Sequence, residues 1–358
     1  MLQTTQFEDG VPTLEDKLLQ RAVAMVLETA YEQDVLDCSY GFRPGRSAQQ
    51  ALDVLHREAS RMAGGWIVEL DIRKYFDSID HERLRKVLHG RIHDGVILRL
   101  IGKWLKAGVL EDGRITHSES GSPQGGVISP VLANIFLHEV LDQWFEQMVR
   151  PRLRGRAHLV RYADDAVMLF EYEEDARRVM AVLPKRFGKY GLTLHPEKTR
   201  LVPFKRPDRM TPWRGEDDRP NESGTFNSLG FTIHWGKSPI TGQWVVKTRT
   251  AADRFRRTLN RISKWCNDNC HEPLERQQKV LNQKLRGHYG YYGRKGNGKR
   301  LTSLLHWAER SWWRALRRRS QRGLSWDELS RILKRYPLLT PTRARPAKRI
   351  RISKSRMR

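Results

Sequence analysis

The stretch His158-Leu-Val-Arg-Tyr-Ala-Asp-Asp-Ala-Val-Met-Leu-Phe170 sets two adjacent carboxylates, Asp164 and Asp165, between two apolar runs rich in strand-forming residues. It predicts a short hairpin with the acids at its tip. Neighbouring carboxylates repel unless a cation shares them. Oxygen ligands on a turn suit Mg²⁺, which takes a few carboxylates, several waters and the phosphates of a substrate. A merely solvated acidic turn is the other reading of the same residues. A second apolar run, Trp66-Ile-Val-Glu-Leu-Asp-Ile72, predicts a buried strand ending near Asp71 that can lie beside the hairpin. Asp71 is then a third carboxylate from a separate element. Such convergence is what a two-metal phosphoryl transfer needs, with ions roughly 3.5–4 Å apart. Otherwise Asp71 is a helix cap or turn residue.

Helical periodicity surrounds these strands. Leu14, Leu18, Ala22, Val26 and Leu27 recur after Thr13, and Ser47 with Gln50 reads as a capping box ahead of Ala51, Leu52, Leu55 and Met62. Further helices are expected over 80–92, 96–107, from the Ser120–Gly126 loop through Trp144, and over 174–190. Residues 205–224 read as a surface loop. Segments 229–235 and 243–247 read as paired strands. The three cysteines make no disulfide framework, which fits a reducing compartment. Cys266, Cys270 and His271 lack the second ligand pair that a zinc site needs.

The charge is uneven. Residues 251–358 hold 30 Lys+Arg against 7 Asp+Glu, so +23 of the chain's net +25 lies there. A nearly neutral body with a cationic, helical C-terminal part points to a polyanion, and nucleic acid is the usual one. No apolar run reaches membrane-spanning length. Met1–Gly10 is polar and acidic, unlike a signal peptide. Charge and periodicity together place a boundary near 249, and low apolar content makes residues 339–358 a basic flexible tail.

Several blocks, in order, resemble group II intron reverse transcriptase/maturases. They are Cys38-Ser-Tyr-Gly-Phe-Arg-Pro-Gly-Arg-Ser47, Leu70-Asp-Ile-Arg-Lys-Tyr-Phe-Asp-Ser-Ile-Asp-His81, Gly121-Ser-Pro-Gln-Gly-Gly-Val-Ile-Ser-Pro130, Tyr162-Ala-Asp-Asp165, Leu194-His-Pro-Glu-Lys-Thr199 and Ser228-Leu-Gly-Phe231. Lys284-Leu-Arg-Gly-His-Tyr-Gly-Tyr-Tyr-Gly293 resembles the family's thumb, domain X. The resemblance runs from about Val11 to Pro337.

It implies an α+β right-hand polymerase: partial fingers and an antiparallel-sheet palm over 1–248, then an all-helical thumb over 249–338. It implies an RNA-directed DNA polymerase that also binds intron RNA, with template RNA, DNA primer and deoxynucleoside triphosphates as partners, no membrane, and a bacterial-type cytoplasmic ribonucleoprotein setting. By likeness, Asp71, Ile72, Asp164 and Asp165 hold two Mg²⁺ ions. Asp71, Asp164, Asp165 and Lys198 are catalytic, with Lys198 near the departing pyrophosphate. Tyr75, Phe76 and Gln124 meet the nucleotide, Phe76 as the aromatic that excludes a 2′-hydroxyl. Arg43, Tyr162, Gly230 and Phe231 meet primer or template. Lys284, Arg286, Tyr289, Tyr292, Arg294, Lys295, Lys299 and Arg300 form the RNA-binding set, cations for phosphates and tyrosines for stacking.

The family's basic fingers hairpin and its Arg-Pro-Leu-Gly-Ile-Pro-Thr-like segment do not precede Val11, and no His-Asn-cysteine endonuclease pattern follows Pro337. Since the family's triphosphate-holding lysine and arginine belong to that hairpin region, weak polymerisation is expected. The alternative is a splicing maturase or truncated remnant with an idle site. The charge asymmetry predicts that RNA affinity falls steeply with salt, by roughly 0.7 log units per log unit of salt for each phosphate contact on single strands. Deleting residues after 339 should flatten that slope without abolishing preference for structured RNA, as a salt titration of full-length and shortened chains would measure.

Overall fold

The structure, a computed structural model, describes residues 13–106, 109–111, 114–116, 126–211, 224–319 and 323–341. Two compact units emerge, Met1–Leu229 with Trp235–Val246, and Gly230–His234 with Lys247–Arg358. The division falls at 246/247 rather than 248/249. It also assigns the short segment 230–234 to the helical unit.

The first unit is built on a four-stranded antiparallel sheet. Its strand order is Ala157–Tyr162, Asp165–Phe170, Trp66–Leu70, Arg200–Pro203. Residues Ile67 to Leu70 are all buried, so the Trp66–Leu70 strand is covered on both faces. That explains its continuous apolar run. Its one charge, Glu69, is tied to Arg200 and accepts from the Asn227 N–H at 2.6 Å. Val68, Leu70, Met168 and Phe170 pack with Leu132, Phe136, Leu141, Phe145, Leu183 and Phe187. Each fully buried side chain of that size contributes about 1.5–3 kcal/mol.

Helices Leu14–Glu32, Ala48–Arg61, His81–His89, Gly95–Lys106 and Glu173–Lys189 match the expected spans closely. Thr13 caps the first by accepting from the Asp16 N–H at 3.3 Å. The face expected to pack there is corrected. Leu14, Leu18 and Val26 are exposed, while Gln20, Val23, Ala24, Leu27 and Tyr31 are buried. This helix is apolar on two sides, and periodicity alone does not choose between them. The Ser47 cap has one arm, the Gln50 N–H. Its hydroxyl also donates to Gln50 Oε1, in place of a reciprocal contact to the Ser47 backbone. The helix expected through Trp144 runs Ser129–Leu137 and continues in wider π geometry over His138–Val149.

The second unit is helical: Ala252–Asp268, Leu274–Tyr292, Gly298–Leu316 and Trp326–Arg335. Phe255, Ile262, Cys266, Leu281, Leu285, Leu304 and Trp312 form its core. Burial pushes the Cys266 thiol up to about 12, as fits a core thiol. The Trp312 indole donates to Gln277 Oε1 at 2.7 Å. Leu339 is also held, its N–H on Asn282 Oδ1 at 2.6 Å, so ordered contacts pass the expected end at 338. Residues 342–358 of the expected tail, the turn at 112–113 and positions 212–223 of the expected loop lie outside the described residues.

Within this core His288 is buried and stacks on Tyr292 with ring centroids 4.4 Å apart. Burial pushes its imidazole down to about 4, from the ordinary value of about 6.5. The folded state therefore keeps His288 neutral where the unfolded chain takes up a proton. That stability is present above pH about 6.5 and is lost as the pH falls toward 4. Wild type should lose about 2 kcal/mol from this source between pH 6.5 and 4.5, and His288→Phe should flatten that loss in pH-resolved denaturation.

Candidate active site

The register Leu70↔Ala166 brings the end of the Trp66–Leu70 strand to the hairpin tip, where Tyr162 pairs with Asp165. Between them Ala163 takes a left-handed backbone at φ 57°, which is uncommon for a residue with a Cβ. Arg161 holds that turn. Its side chain is 0% exposed, and all five of its N–H groups are used. Nε and one N–H of Nη2 reach Asp142 at 2.7 and 2.6 Å; Ser39 Oγ, Asn134 Oδ1 and the Ala163 carbonyl accept the rest at 2.8, 2.8 and 2.9 Å. Burial alone would raise the Asp142 carboxyl, but the Arg161 charge and hydrogen bonds from His138 and Arg161 hold it below the ordinary carboxylate value. Gly41 lies against the same turn, where an added Cβ would stand 2.3 Å from the Ala163 nitrogen.

Asp71 is clamped by its backbone. Its carbonyl accepts from the His195 N–H at 2.8 Å and the Thr199 hydroxyl at 3.2 Å, while its N–H reaches Thr199 Oγ1 at 3.3 Å. Lys198, exposed, places Nζ 3.2 Å from Asp71 Oδ2.

A cleft of about 790 Å³ is lined by Asp71, Ile72, Tyr75, Phe76, Asp164 and Lys198, among others. Burial, followed by the charge of Asp71, raises the Asp164 carboxyl above its ordinary value. Two hard-oxygen donors that disfavour each other's ionisation suit a divalent cation. Among the described residues no group of three or more His, Cys, Asp or Glu is gathered for a metal. Asp165 is exposed and is not among the residues lining the cleft.

Phe76 is half-buried against Tyr75, ring centroids 5.4 Å apart. Tyr75 is buried and donates its hydroxyl to the Ala133 carbonyl at 2.6 Å, so its polar end serves the core. Gln124 lies outside the described residues. Tyr162 is half-buried. Arg43 is a correction: its side chain is 6% exposed, and its five donors go to Glu32 and to the carbonyls of Val35, Leu36 and Ser39. It organises a loop and has no N–H left for a primer phosphate.

In the second unit, Phe231 is also corrected. Its ring is fully buried and stacks on Tyr291 and Tyr292, with centroids 5.8 and 5.0 Å away. Gly230, at φ 77°, lies so close to Tyr292 that an added Cβ would meet its hydroxyl at 2.8 Å. Of the expected RNA set, Lys284, Arg286, Lys295 and Lys299 are exposed, while Tyr292, Arg294 and Arg300 are half-buried. Tyr289, 1% exposed, is a core residue and is corrected as a stacking surface.

Residues 9–233 match the reverse transcriptase (RNA-dependent DNA polymerase) family. The chain belongs to that family. Its α+β architecture, an antiparallel sheet carrying the carboxylates and then a helical unit, is that of a right-hand polymerase. It is 38% identical over 187 residues to the group II intron-encoded protein LtrA of Lactococcus lactis subsp. cremoris, a match covering 49% of this chain and 31% of LtrA. It is 38% identical over 157 residues to protein YkfC of Escherichia coli (strain K12), covering 43% of this chain and 40% of YkfC. The chain thus matches well under half the length of these relatives. Telomerase from Candida albicans, solved with a fragment of telomeric RNA, aligns over 89% of this chain and 54% of its own, at TM-score 0.48 and 12% identity. Divalent-metal dependence is general to reverse transcriptases.

Sequence reasoning passed over Arg161, Asp142, Asn134 and Thr199. The available signal was Arg161 itself, a cation inside an apolar strand run three residues before Asp164. Arg161→Met should cost about 3–5 kcal/mol, because it leaves Asp142 buried and unpaired, and adding Asp142→Leu should recover most of that loss. Denaturant unfolding of the single and double variants measures both.

Proposed function

We propose that this chain is the nucleotidyl-transfer core of an RNA-directed DNA polymerase that also holds intron RNA. The observation that carries the reading is the pair Asp71 and Asp164, delivered by adjacent strands into one cleft beside Phe76 and Lys198. In this reading Asp71 and Asp164, with Asp165 and the Ile72 position beside them, hold two Mg²⁺ ions. When bound, these would neutralise phosphate oxygens and favour ionisation of a primer hydroxyl.

The chain's own groups do the remaining work. The Thr199 and His195 contacts fix the Asp71 backbone, and Arg161 fixes the turn ahead of Asp164. Phe76 is a half-buried ring placed to restrict the space at the sugar, which favours deoxynucleotides. Lys198 stands on Asp71 as a mobile cation able to stabilise charge on a departing pyrophosphate. The exposed cations of the second unit suit RNA, and the likeness to a group II intron-encoded protein makes an intron the RNA we favour.

Asp164→Asn removes one charge from the carboxylate pair. Primer extension on an RNA template should fall by roughly a thousandfold, equivalent to about 4 kcal/mol of transition-state stabilisation. RNA retention in filter binding should stay near wild type. Equal extension by both proteins would take Asp164 out of the mechanism.

A further inference from the structure

We propose that Arg73 and Lys74 form a polyphosphate site that takes the triphosphate of the incoming nucleotide, resting on the reading of the cleft as a nucleotidyl-transfer site. Both residues line the cleft that contains Asp71 and Asp164. Both are exposed, and among the described residues neither side chain makes an ion pair or hydrogen bond. Other cations around the cleft are occupied. Lys198 stands on Asp71, Arg200 on Glu69, and Arg83 reaches the Gly188 carbonyl at 3.5 Å. Two unpaired cations next to two carboxylates leave positive charge available without cancelling the carboxylates.

Their backbone is fixed. The Arg73 N–H donates to the Thr193 carbonyl at 2.9 Å. Lys74 sits at φ 46°, in the left-handed region, between the buried anchors Ile72 and Tyr75. Consecutive residues bring their Cα atoms within about 3.8 Å. That spacing suits neighbouring phosphates joined by one bridging oxygen better than the separated phosphodiesters of a nucleic-acid backbone. The same two residues also line an adjoining hollow of about 490 Å³ that includes Arg83, so the positive wall continues outward from the carboxylates. The resemblance assigned the family's triphosphate cations to a fingers hairpin, whereas Arg73 and Lys74 provide cations within the cleft itself.

The test is tripolyphosphate binding by calorimetry in EDTA, on the full chain. It compares wild type, Arg73→Ala/Lys74→Asn, and Lys185→Ala/Lys189→Ala, which removes two exposed charges from the Glu173–Lys189 helix. Asn is chosen at 74 because it tolerates a left-handed backbone, and thermal unfolding confirms that each variant is folded. The first double variant should bind tripolyphosphate roughly tenfold more weakly. The second should change affinity by under about twofold, since distant exposed charges are screened. A deoxynucleoside triphosphate should compete, and the unphosphorylated deoxynucleoside should not. Unchanged binding in the first variant, or an equal fall in both, overturns the proposal. The two readings fail separately. Tripolyphosphate binding through Arg73 and Lys74 without primer extension by wild type would sink the polymerase reading and leave this site standing. Extension by wild type with the nucleotide KM unchanged in Arg73→Ala/Lys74→Asn would do the reverse.

Discussion

The Arg161 guanidinium has no exposed surface, and its charge is met only by Asp142, itself 0% exposed. Burying such a pair is costly unless every remaining donor is satisfied. Here each is, and the partners come from separate parts of the first unit: Ser39 from the loop before the second helix, Asn134 and Asp142 from the long central helix, and Ala163 from the hairpin turn. The backbone adds to this. Arg161 donates its N–H to the Cys38 carbonyl and accepts from the Tyr40 N–H, each at 2.8 Å. One side chain therefore ties helix, loop and hairpin together at the residue before Tyr162. Because the planar fork accepts few geometries, the left-handed turn at Ala163, and with it the position of Asp164, follows from that anchoring.

The cleft beyond the turn is held in electrostatic tension. Burial and the neighbouring Asp71 both work against ionisation of Asp164, while Lys198 partly offsets Asp71 from the solvent side. Asp71 cannot relax away, because Thr199 bonds both its N–H and its carbonyl. A carboxylate pair fixed at the backbone and short of positive charge is preorganised for cationic or phosphate-bearing ligands. The second unit contributes differently. Its apolar and aromatic residues close a core around Trp312, Tyr289 and Phe231, and its cations are left outside.

Much of the fold was legible because the signals were local. The Thr13 and Ser47 caps, the continuous burial of Ile67 to Leu70 and the apolar runs around Asp164 and Asp165 each reflect contacts within a few residues. Errors arose where a residue type fits two environments. Arg43 and Tyr289 were expected to face nucleic acid, since arginine and tyrosine often do. Instead, five loop and glutamate oxygens took up the Arg43 guanidinium, and the helical core closed over the Tyr289 ring. The exposed Leu14 and Leu18 reflect the same ambiguity, since an apolar stripe does not say which stripe has a neighbour.

The sequence by itself determined the antiparallel hairpin with its tip carboxylates, the strand ending at Asp71 and the cationic helical C-terminal part. Period, turn chemistry and charge count are properties of short stretches and survive without a fold. Tertiary structure decided what depends on partners far apart in the chain. Arg161 and Asp142 neutralise each other across 19 residues, and Thr199 reaches back 128 residues to clamp Asp71. Arg73 and Lys74 remained unpaired among the described residues while neighbouring cations found acids or carbonyls. Whether a charge is buried, paired or free depends on what the fold brings within about 4 Å, and no local pattern encodes that distance.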